Sequence, residues 1–174
     1  MDPFLLIVQI YSFVFSYFFH SIEYMKNTIS FNTKFGWISA TEINQKITQI
    51  QFIKAKNTGV FSKNLKNLQR YFLAYFQGNI KTLKAPIKII GSTMQKKIWS
   101  ELKKIPKGKT KSYGNIAKKL KMSPRYVGRV CGENKLVLIV PCHRVIKSDG
   151  SLGGFSAVEG VKLKERLLKF EKTS

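Results

Sequence analysis

The segment IVPCHRVI places a cysteine and a histidine, Cys142 and His143, side by side behind a proline. A thiol attacks as its thiolate, and a free cysteine has a pKa of about 8.5, so a nucleophilic cysteine needs a base or positive charge nearby. Adjacent residues on an extended chain point in opposite directions, so His143 is expected to reach Cys142 through a water or a turn. The alternative is a small buried cysteine beside an unrelated histidine.

A carboxylate that orients the imidazole would complete a nucleophile–base–acid arrangement. Glu171 lies four residues after Leu167 and eight after Leu163, and it therefore shares the apolar stripe of the last predicted helix. An inward-facing carboxylate is costly without a partner. At a frayed helix end the same carboxylate would lie in water, and spacing alone does not decide between the two.

Two short helices precede the cysteine and predict a helix-turn-helix. The first, SYGNIAKKL, begins at Tyr113, which could equally pack in the core. The second, SPRYVGRVCGEN, has a serine cap and a proline at its first position. Arg125 stands at its start, where such helices reach a DNA groove, and Arg129 lies one turn later. Exposed arginines on a solvated face are the commoner outcome for any single arginine.

The remaining patterns predict an α/β protein. Residues 25–90 contain three strand-like segments, TISF, GWISAT and ITQIQFI, and one helix with Leu65, Leu68, Phe72 and Phe76 on its buried face. Residues 91–174 are mainly helical, beginning with STMQKKIWSELKKIP, whose apolar face carries Met94, Ile98, Leu102 and Ile105. LVLIV predicts a short buried strand, SDGS a tight turn, and the last helix runs from about residue 159 to residue 171.

The first 24 residues differ from the rest. Residues 4–19 are almost wholly apolar, yet the run is shorter than the roughly 20 residues of a bilayer span. It lacks the basic start and the cleavage site of a signal peptide. A membrane-associated leader and a buried terminal element are alternatives, but an extension upstream of a natural start at Met25 is the favoured interpretation.

Charge and cysteine content narrow the class of partner. The formal charge is +22, with 20 Lys and Arg against 6 Asp and Glu in residues 91–174. Such an excess of positive charge favours a polyanion as the binding partner, either nucleic acid or an acidic membrane, although compositional drift is an alternative.

Two cysteines, Cys131 and Cys142, indicate a reducing compartment and no structural zinc site. Cys131 shares an apolar stripe with Val127 and Val130 and is interpreted as core packing.

These motifs resemble the O6-alkylguanine-DNA alkyltransferases, also called methylated-DNA–protein-cysteine methyltransferases. IVPCHRVI matches the active-site signature of that family, and GSTMQKKIW, SYGNIAKKL, SPRYVGRVCGEN, GGF and LLKFE extend the likeness over about residues 91–171. YFLAYFQGN and APIKIIGSTMQ are similar to the smaller domain and its join. The resemblance implies an N-terminal domain (25–90) with an RNase H-like sheet and a C-terminal domain (91–174) with a winged helix-turn-helix.

The resemblance also implies irreversible transfer of the alkyl group from guanine O6 to Cys142, without a cofactor or metal. His143 would activate Cys142 through a water, Glu171 would orient His143, and Asn134 would brace the turn before the active site. The expected partner is double-stranded DNA containing O6-alkylguanine, with O4-alkylthymine as a second candidate. A cytoplasmic monomer with no membrane contact is expected.

On the DNA side, the resemblance makes Arg125 the finger that fills the duplex after the damaged nucleotide is flipped out. Tyr113 would rotate the flanking phosphate and contact the extruded base. Ser156 would lie near the guanine oxygen, and Val145 would offer its backbone carbonyl to the base.

Two features depart from the family, namely a shortened turn before Arg125 and Tyr126 where a small residue is common. Both bear on DNA affinity more than on the transfer chemistry.

A non-catalytic DNA-binding protein with a structural Cys142 is the leading alternative function. A cysteine hydrolase is the third, disfavoured because no oxyanion site is evident in the sequence.

Overall fold

The computed structural model describes residues 25–173, so the predicted extension at 1–24 lies outside the described residues. The elements in chain order are β1 (Lys26–Thr33), β2 (Gly36–Ile43), β3 (Lys46–Gln51), α1 (Lys63–Phe76), α2 (Thr93–Lys103), β4 (Lys111–Ser112), α3 (Tyr113–Leu120), α4 (Pro124–Gly132), a 3₁₀ turn (Cys142–Arg144), β5 (Val145–Ile146) and α5 (Val161–Thr173).

The N-terminal half is an antiparallel meander of β1, β2 and β3 with α1 against it. Asn44 and Gln45 both have positive φ, 48° and 60°, which suits the two-residue turn between β2 and β3. Ser62 caps α1, and the four apolar residues predicted for its inner face are all buried. Gly78, with φ of 86°, follows the end of this helix, where the left-handed conformation favours glycine.

The first three helices of the second half begin at serine caps. Ser92 forms a capping box with Gln95 at the start of α2, and Ser112 and Ser123 cap α3 and α4. The turn between α3 and α4 contains Lys121 at φ 54°. Met94 was predicted on the apolar face of α2, but it is 47% exposed because it lies in the first turn, outside the contact with the core.

The segment LVLIV is not a regular strand, contrary to the sequence prediction. Leu136 forms an isolated bridge with Ile50, and Val137 bridges Val140, with Leu138 at φ 70° between them. The side chain of Asn134 explains the compact loop, because its Oδ1 accepts from Leu136 N at 2.9 Å and its Nδ2 donates to Val140 O at 2.8 Å. These local hydrogen bonds from the Asn134 side chain replace the backbone hydrogen bonds that a regular strand would make to a neighbouring strand.

A continuous hydrophobic core joins the two halves into a mixed α/β structure. Trp99 of α2 belongs to this core and donates its Nε1 hydrogen to Val130 O of α4 at 3.1 Å. The last helix begins at Val161, two residues later than predicted, and its Phe170 is partly buried against the core. Within residues 25–173, no helix has the length and apolar character to cross a bilayer.

Candidate active site

Cys142 opens the 3₁₀ turn that follows Pro141, and its side chain is 4% exposed at the wall of a cavity. Asn134 Nδ2, which also holds Val140, lies 3.1 Å from Cys142 Sγ. Burial raises the pKa of the Cys142 thiol, while the hydrogen bond from Asn134 and the nearby ammonium of Lys164 lower it. Asn134 therefore contacts both the loop before Cys142 and the sulfur itself.

His143 points towards Glu171. Its Nε2 lies 2.7 Å from Glu171 Oε1, and both side chains are buried. An ionised carboxylate can only accept, so Nε2 carries the hydrogen and Nδ1 keeps its lone pair. Nδ1 is buried and makes no hydrogen bond to the described residues. Burial lowers the pKa of His143 despite the opposing effect of Glu171, which favours the neutral imidazole that a general base requires.

The buried environment of Glu171 settles the choice that spacing left open. Arg144 donates its Nε hydrogen to Glu171 Oε2 at 2.8 Å and an Nη2 hydrogen to Oε1 at 2.9 Å, a bidentate pair. Gly108 N donates to Oε2 at 3.3 Å. Burial acts to raise the pKa of Glu171, but the hydrogen bonds from His143 and Arg144 and the charge of Arg144 outweigh it and hold that pKa well below the ordinary carboxyl range.

Lys164 is a buried cation that the sequence analysis missed. It is fully buried, and its Nζ donates to Val145 O at 2.6 Å, with longer contacts of 3.4 Å to Tyr113 Oη and to Gly153 O. Burial lowers the pKa of Lys164, and the thiol of Cys142 opposes that shift when ionised. Its burial could have been predicted from its spacing, because Lys164 lies seven residues before Glu171 and residues seven apart share a helix face.

The cavity beside Cys142 has a volume of about 640 Å³. Its wall brings together residues from α3, α4, the 3₁₀ turn and the loop before α5, among them Tyr113, Cys131, Cys142, Gly153, Phe155 and Ser156. A Cβ on Gly153 would lie 2.6 Å from Tyr113 Oη, so only glycine lets the loop pack against this ring. Burial raises the pKa of Tyr113 to about 12, which keeps the phenol neutral.

Ser156 and Val145 reach the site in different ways. Ser156 lines the cavity, and its Oγ donates to Gly132 O at 3.0 Å. The carbonyl of Val145 is engaged by Lys164, although a carbonyl has a second lone pair for another donor.

Cys131 is buried on the apolar stripe of α4, as predicted, but it also lines the cavity with Cys142, which the stripe does not reveal. Burial raises the pKa of Cys131 to about 12, so it is a weak nucleophile at neutral pH. Within residues 25–173, no group of three or more His, Cys, Asp or Glu side chains is arranged to hold a metal ion.

Arg125 and Arg129 are exposed on α4 and lie outside the cavity wall. The Arg129 guanidinium lies over the ring of Tyr126, 4.9 Å from its centroid, and its Nε is 3.8 Å from Glu133 Oε1. Tyr126 is partly buried against the core. Both arginines are accessible to a partner on the surface of α4.

Comparison with known proteins identifies the family. A family model described as the 6-O-methylguanine DNA methyltransferase, DNA binding domain matches residues 93–173. The methylated-DNA–protein-cysteine methyltransferase of Sulfolobus acidocaldarius is 34% identical over 142 residues, covering 81% of this chain and 90% of that protein. The protein of the same name from Methanosarcina mazei is 37% identical over 124 residues, covering 70% and 77% of the two chains.

Solved structures agree with the sequence relatives. The crystal structure of Mycobacterium tuberculosis O6-methylguanine methyltransferase superposes with a TM-score of 0.76 at 26% identity, covering 86% of this chain and 94% of the other. A crystal structure of the M. tuberculosis protein in complex with DNA has a TM-score of 0.74 at 27% identity, with 84% and 93% covered. The chain therefore belongs to the methylated-DNA–protein-cysteine methyltransferase family.

Proposed function

We propose that this protein repairs DNA by direct reversal, accepting the alkyl group of O6-alkylguanine on Cys142. The observation that carries the proposal is the position of Cys142 in the wall of a cavity of about 640 Å³, in a chain of this family. That volume lies within the range of about 300–1,000 Å³ typical of small-molecule sites. The curated relatives carry the activity in their names, which supports the same reaction here.

The reaction is a single displacement. The thiolate attacks the alkyl carbon, the S–C bond forms as the C–O6 bond breaks, and the electron pair leaves with guanine, which gains the proton lost by the thiol. The product is a thioether, which thiol reductants do not cleave. Each molecule therefore acts once, without a cofactor.

Activation of the thiol is assigned to the groups around it. His143 Nδ1 would take the proton of Cys142 through a water, and Glu171 would hold the imidazole and stabilise the imidazolium. The direction of the His143–Glu171 hydrogen bond supports these roles, because it leaves Nδ1 as an acceptor. Lys164 adds a buried positive charge that favours the thiolate, and Asn134 donates to the sulfur.

The base must leave the duplex to reach this cavity, at a cost of a few kcal/mol that is smallest for a weakly paired damaged base. Arg125 would fill the gap in the stack, Tyr113 would turn the flanking phosphate, and Arg129 would contact the backbone. Ser156 and the Val145 carbonyl would contact the extruded base. The excess of Lys and Arg in residues 91–174 supports phosphate contacts and a strong salt dependence of binding.

The finer architecture is also proposed from family membership. Helices α3 and α4, joined by three residues, form the helix-turn-helix of a winged domain at residues 91–174. The three-stranded sheet and α1 form a smaller, RNase H-like domain at residues 25–90. We also propose a monomer that acts on alkylated guanine in a reducing compartment such as the cytoplasm, since the acceptor must remain a free thiol.

The test is mass spectrometry after incubation with duplex DNA containing O6-methylguanine. We expect a gain of one methyl group per protein, located on Cys142 by peptide analysis. Cys142→Ala is expected to accept no methyl group while retaining DNA binding, and Cys131→Ala, which removes the other thiol of the cavity, is expected to accept one. Binding without any mass gain would instead support a lesion-recognition protein, and repeated turnover would support a hydrolase.

A further inference from the structure

The N-terminal half contributes one side chain to the buried polar cluster behind Cys142. Tyr75, near the end of α1, is 1% exposed, and its hydroxyl lies 2.5 Å from Glu171 Oε1, 96 residues away in sequence. This carboxylate oxygen is the one that accepts from His143. Tyr75 is therefore two hydrogen bonds removed from the proposed general base.

The direction of the Tyr75 hydrogen bond follows from its neighbours. Arg144 Nη2 lies 3.2 Å from the phenolic oxygen. A guanidinium only donates, so the phenolic oxygen accepts from Arg144 and its own hydrogen is directed at Glu171. Burial and the charge of Glu171 raise the pKa of Tyr75, so the hydroxyl keeps its hydrogen at neutral pH.

Three donors thus share Glu171 Oε1, one each from Tyr75, His143 and Arg144. Each donor withdraws electron density from the oxygen and reduces its attraction for the others. When His143 takes the thiol proton, the imidazolium is stabilised by this same oxygen. A donor from Tyr75 therefore lowers the proton affinity of His143, while it also fixes the place where the carboxylate sits.

We propose that Tyr75 is a positioning residue for alkyl transfer, which holds Glu171 Oε1 and sets the proton affinity of His143 from the other half of the molecule. This inference rests on the proposed function. The titratable and charged groups around His143, Glu171 and Tyr75 are Cys142, Arg144, Lys164 and, with its ammonium 4.8 Å from the centroid of the Tyr75 ring, Lys107.

The experiment is a pH profile of the single-turnover rate constant for methyl transfer from duplex DNA. Tyr75→Phe removes the donor and keeps the ring. Because one hydrogen bond is lost from Glu171, the acidic limb of the profile is expected to move to higher pH by about 0.5–1 unit, with one methyl still accepted per protein. Tyr71→Phe, an exposed tyrosine on the same helix, is the matched control and should leave the profile unchanged.

A second variant gives the opposite sign and does not depend on the stability of Tyr75→Phe. Replacing Tyr75 with 3-fluorotyrosine keeps the hydroxyl and makes it a stronger donor, so the acidic limb is expected to move to lower pH. Profiles for both variants that coincide with the wild type would overturn the inference, even if the variants melt at lower temperature. Failure of the wild-type protein to accept a methyl group would overturn the proposed function and this inference with it.

Discussion

Replacing Glu171 with glutamine tests the buried cluster most directly. Glu171 is 3% exposed and is the carboxylate partner of Arg144, which is itself 8% exposed. Glutamine keeps the shape but leaves the guanidinium buried without a counter-ion, and removing one partner of a buried pair costs about 3–5 kcal/mol. For a chain of 174 residues, each kcal/mol lowers Tm by about 2–4 °C, so a fall of roughly 6–20 °C is expected.

The free energy of unfolding is measured with urea at pH 7 and Tm by thermal unfolding, with Glu165→Gln as the control because this carboxylate is exposed on the same helix. The folded-state pKa of Glu171 lies below its unfolded value, so its contribution is complete above the unfolded pKa and is lost as the pH falls. The difference between wild type and Glu171→Gln should therefore shrink below about pH 5. A loss under about 1 kcal/mol at pH 7, or one that does not change with pH, would show that Glu171 is not an ionised buried partner.

Three further substitutions test the site. Lys164→Met is expected to slow methyl transfer about tenfold or more at pH 7, because the pKa of the Cys142 thiol increases when the ammonium is removed. The rate of the variant should then approach that of the wild type as the pH rises, and a loss of rate that is independent of pH would contradict this. Arg125→Ala should slow single-turnover transfer from duplex DNA about tenfold, the cost of one lost stacking contact, but leave reaction with free O6-benzylguanine unchanged; equal slowing on both would remove its role in flipping. Gly153→Ala places a Cβ 2.6 Å from Tyr113 Oη, so transfer from free O6-benzylguanine should fall, and an unchanged rate would show that the ring can move aside.

Local signals in the sequence predict most of the helical framework. Ser92, Ser112 and Ser123 cap the helices that follow them, because a serine oxygen can accept from the exposed amides of the first turn. The inner face of α1 follows its helical periodicity, and all four predicted residues are buried. These features depend on neighbours within a few positions, which a single sequence displays.

The parts that sequence reasoning missed depend on distant partners. Asn134 turns LVLIV into a bridged loop through its side chain, which an apolar run does not reveal. Spacing placed Glu171 on the apolar stripe of α5, but it did not reveal Arg144 and Tyr75, which converge on the carboxylate from other parts of the chain. Lys164 was overlooked because a lysine is rarely fully buried unless it is paired.

Lys164 and Glu171 belong to one helix, α5, and lie seven positions apart on its inner side. At a rise of about 1.5 Å per residue, their backbones are held about 10 Å apart along a rigid rod. One residue inserted or deleted between them would rotate one group by about 100° around the axis, away from its pocket. Natural variation in this helix should therefore consist of replacements at its outward positions, such as Glu165 and Lys169, and never of changes in its length between these two residues.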